Sequence, residues 1–188
     1  MSISQASAPA GQEPPAPITL TPEASARIQA MLAEKPDGVI EAIAREVGVP
    51  TLAVLEAAPA SQRSAIPAAH FEALWQELSQ WGEVLFIVHT PDIVLECTGI
   101  LPRGSFGHGY YNIHGDSPVG GHIKAGNCRA IHLVDRLFHG RRSCSIQFFN
   151  GAGEAMFKVF VRRGPDRALD PEQLARFEAL KTGALVRT

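Results

Sequence analysis

Apolar residues recur at helical spacing through roughly the first eighty positions and at a period of two beyond them. Thr21 followed by Pro22 marks a helix start: a hydroxyl that can cap, then a ring that fixes φ at the first helical position. The segment PEASARIQAMLAEK places Ile28, Met31 and Leu32 on one face and stops at Pro36. DGVIEAIAREVGVPTLAVLEAAP repeats the pattern through Val39, Ile40, Ile43, Val47, Val54 and Leu55, and the break at Gly48 and Pro50 predicts two short helices there. A fourth helix is predicted over AAHFEALWQELSQWG, with Phe71, Leu74, Trp75, Leu78 and Trp81 on one face and Gly82 as its end. The alternation that follows predicts strands over 83–89, 93–99, 105–113, 120–124, 128–134, 143–149 and 155–161. Their short connections favour antiparallel pairing, because a parallel crossover needs a dozen or more residues. A last helix is capped by Asp170, with Pro171 after it and Leu174, Phe177 and Leu180 along it.

The class is therefore α+β: an N-terminal helical segment, a mainly antiparallel sheet, and a C-terminal helix. Residues 18–188 form a single domain, with a helical front over 18–82 and a sheet-bearing body over 83–188. Residues 1–17, MSISQASAPAGQEPPAP, are rich in Pro, Ala, Ser and Gly and lack the basic start and apolar stretch of a secretion signal. They are expected to be a disordered tail.

Charge removes several function classes. Seventeen Lys and Arg oppose 19 Asp and Glu in 188 residues, so no overall field gathers nucleic acid or anionic lipid. Ala44, Gly48 and Val54 fit the spacing of a helix-turn-helix, but PTLAVLEAAP, the would-be recognition segment, holds no Lys or Arg. Phosphate contacts need positive charge, and this segment is read as a packing module. The three cysteines, Cys97, Cys128 and Cys144, form no C-x-x-C and read as reduced thiols within strands. No apolar run approaches the roughly 20 residues of a membrane-spanning helix, and the expected location is the cytoplasm.

Candidate chemistry gathers in SFGHGYYNIHGDSPVGGHI, residues 105–123, where His108, His114 and His122 stand with Tyr110 and Tyr111 among five glycines. His122 follows Gly120 and Gly121, which leave room beside its imidazole. His89 ends the strand EVLFIVH before Thr90 and Pro91, where it can leave the sheet edge and face a cleft. His70 and His139 read as solvated, and His132, inside RAIHLV, as a hydrogen-bonded core or face residue. The histidine spacings lack the tight pairing of structural zinc. No nucleophile elbow, P-loop or dinucleotide fingerprint is present. A haem suits the inventory: an apolar slot for the macrocycle, an imidazole or phenolate for iron, and cations for the propionates. Arg103, Lys124, Arg129, Arg141 and Arg142 are the candidates for that rim. On the residues alone, haem stays one reading among several.

Five separated stretches add to this: PDGVIEAIAREVGVPTLAVLEAAP, WGEVLFIVHTPDIVLECTG, GHGYYNIHG, GGHIKAGNC and FFNGAGEAMFKVFVRR. In this order they resemble the HutX/ChuX family of intracellular haem-utilisation carriers, over nearly everything from Lys35 to Phe177. The resemblance implies a fold similar to one half of the larger HemS/ChuS-type haem proteins, and a non-enzymatic carrier of haem b. Such a carrier takes up imported haem and passes it to a haem-degrading enzyme. It also implies a homodimer that reproduces the tandem arrangement, since the chain shows no internal repeat. The histidines that the family implicates fall on His89 and His122, as tentative ligands of the haem iron, and Tyr110 offers a phenol that can hydrogen-bond or ligate. His114 departs from the family pattern. The alternative is a haem-degrading, oxygenase-like enzyme, because fold alone does not separate carrying from catalysis.

Overall fold

The computed structural model describes residues 18–183, so the expected tail at residues 1–17 lies outside the described residues. Helix α1 (Pro22–Glu34) starts as its sequence dictates, with Thr21 Oγ1 accepting from the Ala24 N–H at 3.2 Å. Helices α2 (Ile40–Val47) and α3 (Thr51–Ala57) are separated by Gly48, whose φ of 76° supplies the left-handed cap that ends α2. Ile28, Leu32, Ile43, Leu52 and Val54 form a small core of their own, completed by Val134 and Phe149 from the sheet.

The sheet is built from β1 (Arg63–Ile66), β2 (Glu83–His89), β3 (Val94–Ile100), β7 (Cys128–Phe138), β8 (Arg141–Asn150) and β9 (Ala155–Phe160). Its order is β1-β7-β8-β9-β2-β3, and every pair is antiparallel. Strand β1 lies inside the segment read as helical, joined to the edge of β7 through Ile66 and Ile131. The stretch 105–113, expected as one strand, is instead two: β4 (Gly104–Gly107) and β5 (Tyr110–Ile113). His108 and Gly109 between them have φ of 52° and 80°, the paired positive angles of a two-residue hairpin turn whose twist suits its strands. With β6 (Gly121–Ile123) these form a second, three-stranded sheet.

Residues paired across an antiparallel ladder share a face, so register sorts the large sheet into two sides. Phe148, Val159, Ile146 and Leu133 face the main core, which α4 (Phe71–Leu78), α5 (Pro171–Lys181) and the small sheet cover. Trp75 is fully buried there, its indole N–H donating to the Pro102 carbonyl at 2.8 Å. On the other side, α1 to α3 pack over Val134 of β7, Phe149 of β8 and Ala155 of β9 and leave the β2 and β3 end uncovered. Leu85, Ile87 and His89 of β2, opposite Thr98, Glu96 and Val94 of β3, are left beside an open cavity.

Candidate functional site

That cavity has a volume of about 880 Å3. Its floor is the uncovered part of the sheet, and one wall is the start of α2, where Val39, Ile40 and Glu41 reach over from the helical front. Leu85, Ile87, Phe160 and Val161 give it apolar surface. Five cationic side chains line it, Arg136, Arg141, Lys158, Arg162 and Arg163, against the two carboxylates Glu41 and Glu96. Lys158 pairs with Glu41 and Arg162 with Glu83, which leaves Arg136, Arg141 and Arg163 without a carboxylate partner among the described residues, a surplus that favours an anionic ligand.

His89 sits in this wall with its side chain 17% exposed and Nδ1 3.7 Å from Glu41 Oε1. Burial, followed by the Arg45 charge, lowers its pKa, so the imidazole is neutral near pH 7 and has a lone pair to offer. Lys158, on β9 opposite Ile87, pairs with the same Glu41 carboxylate. Burial pushes its ammonium down to about 8. Arg136 donates to the carbonyls of Gly38 and Pro36, 2.7 Å each, and ties the front to the cavity rim. Its Nε is buried without a partner.

A second, smaller groove of about 380 Å3 opens on the opposite side of the large sheet. Phe86, Val88, Leu95 and Cys97 give it an apolar base, and His122, Ile123 and Lys124 from the small sheet stand beside it. His122 is exposed, with Nδ1 2.7 Å from Asn112 Oδ1 and its ring edge-on to Tyr110 at 5.9 Å between centroids. Lys124 Nζ lies 5.3 Å from the centre of the Tyr110 ring. No side chain fills the space next to Gly120 or Gly121, and Gly121 has a φ of 126°.

The expected site residues therefore divide. His122, Tyr110 and Lys124 are brought together; His89 lies across the sheet from them, and neither of these two spaces is lined by both histidines. Tyr111, next to Tyr110, belongs to the core: it is fully buried, its phenol accepts from Gln76, and desolvation pushes its pKa up to about 12. Of the expected rim cations, Arg141 lines the large cavity and Lys124 the groove. Arg142 is held by Asp135 and Glu178, Arg129 donates to the carbonyls of Gly126 and Cys128, and Arg103 lines neither space. Glu41, Arg136, Lys158, Arg162 and Arg163 were not singled out in the sequence; a lysine within the apolar alternation AMFKVF is the one local sign of a buried charge. His114 contacts Ser105 Oγ at 3.1 Å and stays exposed. His132 is buried, but its Nδ1 has no partner, which corrects the hydrogen-bonded environment expected for it. All three cysteines are free, and the described residues hold no cluster of metal-ligating side chains and no helix long and apolar enough to cross a membrane.

Comparison with known proteins places this geometry. The chain is 31% identical to the intracellular heme transport protein HutX of Vibrio cholerae over 156 residues, 82% of this chain and 81% of that one. A protein of Agrobacterium tumefaciens of solved structure is 53% identical, with a TM-score of 0.79 over 86% of this chain and 91% of that chain. The heme binding protein ChuX is 38% identical, with a TM-score of 0.75 over 84% of this chain and 98% of that chain. At the level of fold alone, the heme-binding protein PhuS of Pseudomonas aeruginosa matches at 16% identity and a TM-score of 0.65; 89% of this chain covers 50% of PhuS. ChuS of Escherichia coli O157:H7 is matched over 48% of its length, so the expected likeness to one half of such proteins holds. The model of the haem utilisation ChuX/HutX family matches residues 64–180, and with the identity to HutX this makes the chain a member of that family.

Proposed function

We propose that this protein is an intracellular carrier of haem b, without catalytic activity of its own, which passes its cargo to a haem-degrading enzyme. The observation that carries the reading is the 880 Å3 cavity, in which apolar strand residues, the neutral imidazole of His89 and a surplus of cations stand together. These match the three needs of a haem: an apolar slot, a nitrogen donor, and partners for two propionates. The names of HutX and ChuX, heme transport and heme binding, support the same cargo.

The homodimer belongs to this proposal for a geometric reason. His89 and His122 of one chain open on opposite sides of the sheet, so both reach one haem only if a second copy presents its His122 and Tyr110 to the cavity of the first. The cavity mouth favours a cover. Val94 and Phe138 line it yet are 52% and 42% exposed, and Ile93 and Leu137 beside them are 55% and 47% exposed. Strand β3 is also an edge with one unpaired side.

Hemin titration of the purified apoprotein tests the reading. The expected result is a saturable Soret shift at one haem per chain on a dimer, weakened by His89→Ala and by His122→Ala without loss of folded structure. A titration that never saturates would refute carriage. Steady Soret loss under reductant and air, with a biliverdin-like product and iron release, would replace the carrier with an oxygenase.

A further inference from the structure

Asn112 lies on β5 directly opposite His122 on β6. Its side-chain nitrogen is surrounded by three backbone carbonyls, those of Gly107 at 3.1 Å, Ser105 at 3.3 Å and Tyr110 at 3.5 Å. An amide NH2 group has two protons to give, and three oxygens around it leave one orientation. Turning the amide over would set its carbonyl oxygen against those three acceptors and lose every one of these contacts.

The amide direction decides the imidazole. Asn112 Oδ1 faces His122 Nδ1 at 2.7 Å and, as a carbonyl oxygen, can only accept. Nδ1 must then carry the hydrogen. In a neutral imidazole the other nitrogen is bare, and His122 Nε2 has no hydrogen-bond partner among the described residues on an exposed ring. Free histidine favours the opposite tautomer, with the hydrogen on Nε2, so the hairpin β4–β5 is spending its turn carbonyls on reversing an intrinsic preference. The purpose such an arrangement serves is ligation, since a histidine that holds a metal through one nitrogen is oriented by a hydrogen bond from the other.

We infer that Asn112 is a positioning residue that locks His122 in the Nδ1–H tautomer and presents Nε2 as a ready donor to haem iron. The inference rests on the carrier reading for its ligand, but its tautomer half concerns the apoprotein alone. Tyr110 limits the freedom of the same ring from the side, and His114, exposed and bonded only to Ser105, has no comparable partner. His122 and not His114 is the ligand of this segment.

The test needs no variant at its first step. Two-bond proton–nitrogen correlation spectra of the 15N-histidine-labelled apoprotein, recorded at pH 8, should show His122 as predominantly Nδ1–H. A predominantly Nε2–H ring would overturn the inference. Asn112→Leu should release the tautomer toward Nε2–H and weaken hemin binding on the order of tenfold, in the range of lost outer-sphere partners at metal sites. Unchanged hemin affinity and an unchanged spectrum in Asn112→Leu would sink the positioning role. Failure of the wild-type chain to bind hemin, with the Nδ1–H tautomer present, would count against the carrier reading and against haem iron as the ligand, and would leave the hydrogen-bond account of Asn112 standing.

Discussion

Replacing His132 with Leu should make the protein more resistant to acid. His132 is on β7, paired with Ala65 of β1 and Gln147 of β8, and only 3% exposed beneath the helical front. Its Nδ1 lacks a partner, Phe149 packs edge-on to the ring at 6.1 Å, and the Glu56 carboxylate, 3.9 Å from Nε2, is too far for a hydrogen bond. Burial, reinforced by the Arg63 charge, lowers the imidazole pKa from 6.5 to about 4. The folded state thus keeps the ring neutral while the unfolded chain protonates it. Between the two values the unfolded state binds more protons, so stability is complete above the ordinary pKa and falls as pH drops toward the folded one. Worked between pH 7.5 and pH 5, the two values give a loss of roughly 2 kcal/mol from this residue. Asp135, which its hydrogen bond to Arg142 holds at about 2 against the opposing effect of burial, titrates below this window. Urea denaturation at both pH values checks the reasoning. Wild type should lose about 2 kcal/mol more than His132→Leu on going to pH 5. Equal losses in the two proteins would refute the buried neutral histidine as the source.

Three further outcomes are expected. Gly104→Ala sets a Cβ 2.3 Å from Tyr111 Cε1 and 2.7 Å from the Asn112 carbonyl oxygen, against a ring with nowhere to move; a cost of roughly 1–3 kcal/mol should appear as a lowered melting temperature, and an unshifted melt would contradict the packing. Arg136→Met removes the donor to the Pro36 and Gly38 carbonyls, at roughly 0.5–1.5 kcal/mol for each hydrogen bond lost, and should raise hydrogen exchange across α1 to α3; unaltered exchange there would show that the guanidinium does not hold the front. Arg141→Ala removes an exposed cavity cation that has no carboxylate partner among the described residues. It should leave the melting temperature unchanged and weaken hemin binding roughly tenfold, with no effect on binding of hemin dimethyl ester; equal weakening for both ligands would rule out a propionate contact.

Much of the fold was legible from local chemistry. The caps Thr21 and Asp170 act as such, and strand β2 runs over 83–89 as its alternation requires, because a hydroxyl or carboxylate at an N-cap and a two-residue period act within a few positions of the chain. Where nonlocal pairing supplies the stabilisation, local reading fails. Arg63–Ile66 has no apolar alternation to speak of and becomes a strand only because the edge of β7 offers it partners. His108 takes a positive φ in a turn between Gly107 and Gly109, through which the strand expected over 105–113 runs without a break.

The site divides along the same line. That His89 and His122 each border open space could be seen from Pro91 after one and the glycine pair before the other. Which side of the sheet each one faces is set by sheet order and by the packing of β4 to β6 over Phe86 and Val88, which no local period encodes. Glu41 meets Lys158 across 117 residues of sequence, and Arg136 reaches the Pro36 carbonyl across 100. The sequence by itself determined the element types, the caps and the chemical inventory, since those follow from short-range sterics and hydrogen bonding. Only the tertiary structure decided that the helical front is a wall of the cavity, that Tyr110 packs against His122 while Tyr111 is core, and that Asn112 meets the His122 ring, because each depends on which distant strand the chain lays alongside.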